Sequence, residues 1–148
     1  MPIQDGKETM TPDDWLAEIG RILDDCLAAD DRGAAELVRR FLELMGSAPP
    51  EIANLLRGSD KAIDSRYFEL PALESLLLSQ LGDAIGMCLS ISASKDAIAT
   101  AFDHRTEAEM TFESQSMPVA MTGAIALLAE HGMRSSYGAS SPSRFLAN

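Results

Sequence analysis

The sequence predicts an α+β fold in which an N-terminal helical layer of three to four helices precedes a three-stranded antiparallel meander and a C-terminal helix. Two observations lead to this prediction. Before residue 82, apolar residues recur every three or four positions, as one face of a helix requires. Between Ala84 and Glu113 they alternate strictly over three short runs separated by polar turns, which is the pattern of antiparallel strands with one buried face.

Helix boundaries follow from capping residues and breaks in the periodicity. Thr11 offers a side-chain oxygen to cap the first helix, and Pro12 suits its first turn. A short polar break separates this helix from the second, so the two should form an antiparallel hairpin. Tyr67 and Phe68 could form an additional strand, a question that the sequence leaves open. The predicted helices cover residues 12–29, 34–45, 51–57 and 71–81.

The predicted meander has two faces that differ in size. One face, called the bulky face, carries large apolar residues, and the other, called the smooth face, carries small ones. Small residues allow another backbone to approach closely, so the smooth face either packs against a helix of the same chain, faces solvent, or docks a second subunit or partner. The bulky face holds Ile85, Met87, Leu89, Ile91, Ile98, Phe102, Met110 and Phe112. The smooth face holds Gly86, Cys88, Ser90, Ser92, Ala97, Ala99 and Ala101.

The last predicted helix, Val119 to Glu130, is apolar almost all round and should be buried on more than one side. We expect it to lie on the bulky face of the sheet or in a subunit interface. The domain organisation that follows is a disordered leader over residues 1–10, a single α+β domain over 11–132 and a flexible tail over 133–148.

Charge is the strongest global feature of the composition. Twelve basic and 23 acidic residues give a net charge of −11, which opposes direct binding to nucleic acid or to an anionic membrane and favours a basic protein partner. The first ten residues do not have the pattern of a signal peptide, and Cys26 and Cys88 have no metal-binding or CxxC spacing. These features predict a cytoplasmic protein with reduced thiols.

Signals for catalysis are weak. The sequence contains no HExxH, GxGxxG, P-loop or EF-hand pattern, so we expect no catalytic residues, metal or cofactor. The turn Asp103, His104 and Arg105 is the one polar cluster that could form an alternative site, with Asp103 orienting the imidazole of His104.

The predicted function is that of a small acidic, non-catalytic protein-binding module: an adaptor, a chaperone or an inhibitor of a basic partner that could itself bind nucleic acid. An inhibitor of this kind could act as an acidic decoy in a nucleic-acid-binding groove. A homodimer formed through the smooth face or the last helix is also expected. The alternative is a small enzyme or ligand-binding domain with a polar site at Asp103–Arg105. The predicted partner-binding residues are Cys88, Ser90, Ser92, Ala97, Ala99, Ala101, Asp14, Glu18 and Asp25.

The chain is similar to small acidic secretion chaperones in size, charge and mixed α/β content. No sequence motif accompanies this likeness, and the long helical segment before the first strand departs from their layout.

Overall fold

The computed structural model describes residues 10–56 and 69–136 of the chain. Within these ranges it has the predicted α+β order of helices, antiparallel meander and closing helix, which confirms the fold class. The elements are α1 (Pro12–Ala28), α2 (Ala34–Met45), a 3-10 helix (Pro50–Leu55), α3 (Leu70–Gln80), β1 (Ile85–Ile91), β2 (Ala97–Asp103), β3 (Ala108–Ser114) and α4 (Met117–Ser136).

The local signals account for most of the helix boundaries. The Thr11 hydroxyl accepts a hydrogen bond of 3.1 Å from the backbone N–H of Asp14, as an N-cap should. The third predicted helix is a 3-10 helix that ends at Leu55. The proposed strand at Tyr67 and Phe68, the leader over residues 1–9 and the tail from residue 137 lie outside the described residues.

The closing helix α4 lies at the centre of the molecule. Every residue from Pro118 to Glu130 is buried, which confirms burial on more than one side. The helix packs on β2 and β3 with one side and on α1, α2, α3 and the 3-10 helix with the other. It also continues to Ser136, beyond the predicted domain boundary at residue 132, because Met133 is fully buried. The last helix is therefore covered by its own chain.

The register of the sheet overturns the predicted division into a bulky and a smooth face. Leu89 of β1 pairs with Ala99 of β2, which in turn pairs with Phe112 of β3. The alanines of β2 therefore share a face with the bulky residues of β1 and with Phe112. Ala97, Ala99 and Ala101 are all buried, and they lie on the face that α4 covers. This side is called the covered face below.

Small residues allow α4 to lie close to the sheet. A Cβ atom added to Gly123 of α4 would lie 2.5 Å from Cγ of Phe112, so the ring of β3 packs directly against the helix backbone. The helix covers β2 and β3 but leaves the far end of β1 outside. Leu89 is 36% exposed and Ile91 is 59% exposed, although both side chains belong to the covered face.

Gly123→Ala is expected to lower the free energy of unfolding by about 1–2 kcal/mol, because overpacking against the Phe112 ring outweighs the gain in helix propensity. Urea denaturation measures the change. Gly20→Ala is the matched control, since a Cβ atom at this position of α1 has no neighbour within 4 Å. It should stabilise the protein by about 0.5–1 kcal/mol. Equal effects of the two substitutions would contradict the packing of Phe112 on Gly123.

Candidate interaction surface

The opposite side of the sheet, called the uncovered face below, has no helix packed on it among the described elements. None of the residues that the three strands place on this side is buried. Their chemistry changes from strand to strand, from small residues on β1 to apolar and threonine side chains on β2 and acidic ones on β3. The residues are Gly86, Cys88 and Ser90 of β1, Ile98, Thr100 and Phe102 of β2, and Glu109, Thr111 and Glu113 of β3.

The centre of the uncovered face is ordered by cross-strand contacts. A Cβ atom on Gly86 would lie 3.3 Å from the ring of Phe102, so the missing side chain leaves room for that ring. The rings of Phe102 and His104 stack with their centroids 5.9 Å apart. The hydroxyls of Thr100 and Thr111 share a hydrogen bond of 2.8 Å. Phe102 is thus held in place at a half-exposed position.

The acidic strand differs from the acidic helix α1 in whether its charges are paired. On α1, Glu18 pairs with Arg21, and the carboxylate of Asp25 lies 2.7 Å from the guanidinium of Arg40. In the part of the chain that the structure describes, no basic side chain pairs with Glu109 or Glu113. The carboxylates of β3 are therefore more available to a partner than Glu18 and Asp25, two of the three acidic residues that the sequence predicted to bind one. The third, Asp14, is exposed at the start of α1.

The predicted partner-binding residues of the sheet do not form one surface. Cys88 and Ser90 are exposed on the uncovered face, and Ser92 lies in the following turn, where its hydroxyl accepts a hydrogen bond from the backbone N–H of Asp96. The three alanines of β2 lie on the covered face instead. The structure adds residues that sequence reasoning did not select: Ile98, Thr100, Phe102, Glu109, Thr111 and Glu113.

The polar turn is also divided between the two sides of the sheet. Arg105 donates to both carboxylate oxygens of Asp103, through Nε at 3.2 Å and through Nη2 at 3.0 Å. Asp103 is buried at the end of β2 on the covered face. His104 is exposed and lies on the uncovered face beside Phe102. The structure therefore brings Asp103 and Arg105 together and does not place His104 with them.

Electrostatics favours the ionised form of Asp103. Burial alone would raise the pKa of this carboxyl, but the hydrogen bonds and the positive charge of Arg105 outweigh it, and the pKa is lower than its usual value. A cavity of about 150 Å³ lies beside the pair, between Ile52, Leu128 and His131. Arg105 already has its charge balanced by Asp103. Among the described residues, no group of three or more His, Cys, Asp or Glu side chains could hold a metal ion.

No family model, curated protein or solved structure matches the chain. Inferences about its function therefore depend on the chemistry of its surfaces. Among the described helices, none is both long enough and apolar enough to cross a bilayer.

Arg105→Gln is expected to lower the free energy of unfolding at pH 7 by about 1–2 kcal/mol, because buried Asp103 loses its charged partner. The folded-state pKa of Asp103 is depressed, so the stability that the pair contributes is present above the unfolded-state pKa of about 3.9. It is lost as the pH falls through the lower folded-state pKa. The difference between wild type and variant in denaturant titrations should therefore shrink below about pH 4.

Arg32→Gln is the matched control for this measurement. The Arg32–Asp30 pair is long, at 3.7 Å, and the arginine side chain is 93% exposed. Its loss should cost less than about 0.5 kcal/mol at either pH, as is usual for surface ion pairs. A loss for Arg105→Gln that does not change with pH would contradict the role assigned to Asp103.

The two thiols are expected to differ sharply in reactivity. Cys88 is exposed, whereas Cys26 is buried, and burial together with the charge of Asp25 raises the pKa of Cys26 to about 12. Since the thiolate is the reactive form, an aromatic disulfide reagent should titrate one thiol per folded chain and two in denaturant. The fast thiol should disappear in Cys88→Ser and remain in Cys26→Ala. Two fast thiols in the folded wild type would contradict the burial of Cys26.

Proposed function

We propose that the protein is a non-catalytic binding module that takes a basic segment of another protein on the uncovered face of its sheet. The observation that carries the proposal is the register of β2 and β3, in which Ile98 lies opposite Glu113 and Phe102 lies opposite Glu109. Ile98 and Phe102 are both half-exposed, and each has a glutamate of β3 as its direct neighbour. Neither glutamate pairs with a basic side chain among the described residues. This combination suits a partner residue with an apolar stem and a cationic head.

Arginine fits these two apolar–acidic pairs best. Its aliphatic stem can cover Ile98 or Phe102 while its guanidinium reaches the neighbouring carboxylate, and it can also stack on an aromatic ring. Glu109 and Glu113 are four residues apart on one strand, so the pairs lie about 14 Å from each other. A partner segment should therefore present two cationic side chains at that separation, with small or polar residues between them, because the Thr100–Thr111 pair lies between the two apolar–acidic pairs.

The net charge of −11 acts over a longer range than these contacts. A negative field raises the rate at which a cationic partner associates, and the apolar contacts slow its release. Two carboxylates about 14 Å apart are too sparse to imitate the closely spaced phosphates of a nucleic-acid strand. This spacing favours an adaptor, a chaperone or an inhibitor that binds by apolar contact and charge together over a nucleic-acid decoy.

The alternative of a ligand-binding or catalytic site at Asp103–Arg105 has less support. Asp103 and Arg105 satisfy each other, and His104 stacks on Phe102 instead of lying with them. Both cysteines are free thiols, which is consistent with the reducing conditions of the cytoplasm as the proposed setting.

The proposal is tested by affinity capture from a nuclease-treated lysate of the source organism, followed by mass spectrometry. Wild type should enrich a basic protein, and Glu109→Lys/Glu113→Lys should reduce its recovery at least tenfold because the cationic side chains are then repelled. Phe102→Ala should reduce recovery severalfold through lost apolar contact. Binding by wild type should weaken at high salt without disappearing, since the apolar contact is not screened.

Two control variants separate the uncovered face from general properties of the surface. Glu43→Lys/Glu74→Lys makes the same change in net charge at exposed positions of α2 and α3, and Leu78→Ala removes an apolar side chain that is 44% exposed on α3. Both controls should keep the partner. Equal loss in the two lysine variants would show binding by net charge alone, and full binding by the β3 variant would place the partner elsewhere. Either result would overturn the proposed surface.

A further inference from the structure

Among the described strands, β1 is an edge of the sheet, and its own sequence lacks the residues that usually protect an edge. The strand order is β1-β2-β3, and no strand among the described residues pairs with the outer side of β1. Monomeric proteins commonly protect an edge with charged residues, proline or a bulge. The other edge, β3, carries Glu109 and Glu113. The sequence of β1, Ile-Gly-Met-Cys-Leu-Ser-Ile, has neither charge nor proline.

The hydrogen bonds at the two ends of β1 identify the backbone groups that face this open edge. The carbonyl of Ala84 accepts from the N–H of His104 at 2.9 Å, and the N–H of Ser92 donates to the carbonyl of Asp96 at 2.8 Å. Even-numbered residues of β1 therefore direct their N–H and C=O groups toward β2, because the direction alternates along an antiparallel strand. The groups of the odd-numbered residues point outward, although the N–H of Ile85 already donates to the carbonyl of Gly82 at 3.1 Å. These residues are Ile85, Met87, Leu89 and Ile91.

Exposed apolar side chains coincide with these outward backbone groups. Leu89 and Ile91 lie on the covered face but beyond the reach of α4, and they remain 36% and 59% exposed. An added strand would satisfy the backbone groups. If its own apolar side chains lay on the same side, it would also shield these two residues.

We propose that β1 pairs with β1 of a second copy of this chain, antiparallel about a two-fold axis at Cys88, to form a continuous six-stranded sheet. The composition of β1 supports a second copy as the occupant. The net charge of −11 on each chain opposes association, but β1 itself is uncharged, so two copies can pair along it without placing carboxylates opposite one another across the β1–β1 seam. The strand is also self-complementary, since the axis sets Met87 opposite Leu89 of the second copy and Ile85 opposite Ile91.

The axis position follows from the hydrogen-bonding pattern. In an antiparallel pair, the backbone groups of two opposite residues either both point toward the partner strand or both point away from it. Centring the axis on Cys88 satisfies this rule and pairs every residue of β1 with a residue of the second copy. Cys88 then lies opposite Cys88 of the second copy in a non-hydrogen-bonded pair, with a Cα separation of about 4.5 Å. This separation is within the range that a disulfide can bridge. Ser90 lies opposite Gly86 of the second copy, so the Ser90 residues of the two copies are about 14 Å apart along the strand.

Cross-linking with diamide tests this register. Formation of one disulfide releases two electrons and two protons from two thiols, and diamide accepts both as it is reduced to the hydrazine. Wild type should give a covalent dimer on a non-reducing gel, and Cys88→Ser should give none. Cys88→Ser/Ser90→Cys is the matched control, because its thiol is on the same exposed face two residues away. It should cross-link at least tenfold more slowly than wild type.

Analytical ultracentrifugation provides an independent measurement that requires no oxidant. Wild type should sediment as a dimer, and Leu89→Lys should weaken dimerisation at least tenfold, because a charge enters the seam at a position already partly exposed. Circular dichroism shows whether the variant is folded.

Three outcomes would each overturn the proposal. One is a wild-type monomer at a protein concentration of about 50 µM, at which a dimer with a dissociation constant of about 1 µM would be mostly associated. The second is cross-linking of the Cys88→Ser/Ser90→Cys control as fast as that of wild type. The third is a folded Leu89→Lys variant that dimerises as tightly as wild type. None of these outcomes depends on the basic partner.

Discussion

The fold depends on one helix that must be buried on every side. From Pro118 to Glu130, α4 offers no polar face to water, so it needs a helical layer on one side and a sheet on the other. Its buried polar groups are satisfied internally or by pairing: the Thr122 hydroxyl donates to the carbonyl of Pro118, and Glu130 pairs with Arg134. The alanines of β2 and Gly123 follow from this constraint, because a helix enclosed by two layers requires small residues where backbones approach.

The width of a helix explains why β1 is left outside. A helix with its side chains is about 10 Å across, and neighbouring strands are about 4.8 Å apart. One helix therefore covers two strands, and α4 lies over β2 and β3. The third strand projects past it. Ile85 is buried at one end of β1, whereas Leu89 and Ile91 at the other end remain exposed. The open edge thus results from placing a single helix on a three-stranded sheet.

Periodicity and capping residues were sufficient to predict the elements, because both are local properties. The Thr11 cap, the bounds of α2 and the three strands could all be predicted from spacing along the chain. The faces of the sheet could not. Alternation fixes which residues of one strand share a face, but the turn between two strands decides which faces coincide. The turn after Ile91 sets that residue opposite Ala97, one position away from the alignment with Ile98 that the bulky-face prediction assumed.

That single step in register also explains why the candidate surface was only partly predicted. Cys88 and Ser90 were selected as small residues, and they do lie on the uncovered face. The alanines were selected for the same reason but are covered by α4, while Ile98 and Phe102 were assigned to the core. Their neighbours on β3 are glutamates, which are recognised as part of a surface only when the pairing of β2 with β3 is known.

The uncovered face and the open edge belong to the same sheet, so the two proposals have a joint geometrical consequence. In the proposed dimer, the uncovered faces of both copies form one surface that is symmetric about Cys88. Acidic strands are then outermost, apolar residues of β2 lie inside them, and the small residues of both β1 strands form the centre. Five strand spacings separate the two β3 strands, a distance of about 24 Å. A partner that crosses this surface would meet carboxylates at both ends and could bring its backbone closest at the centre, where Gly86 and Ser90 leave room.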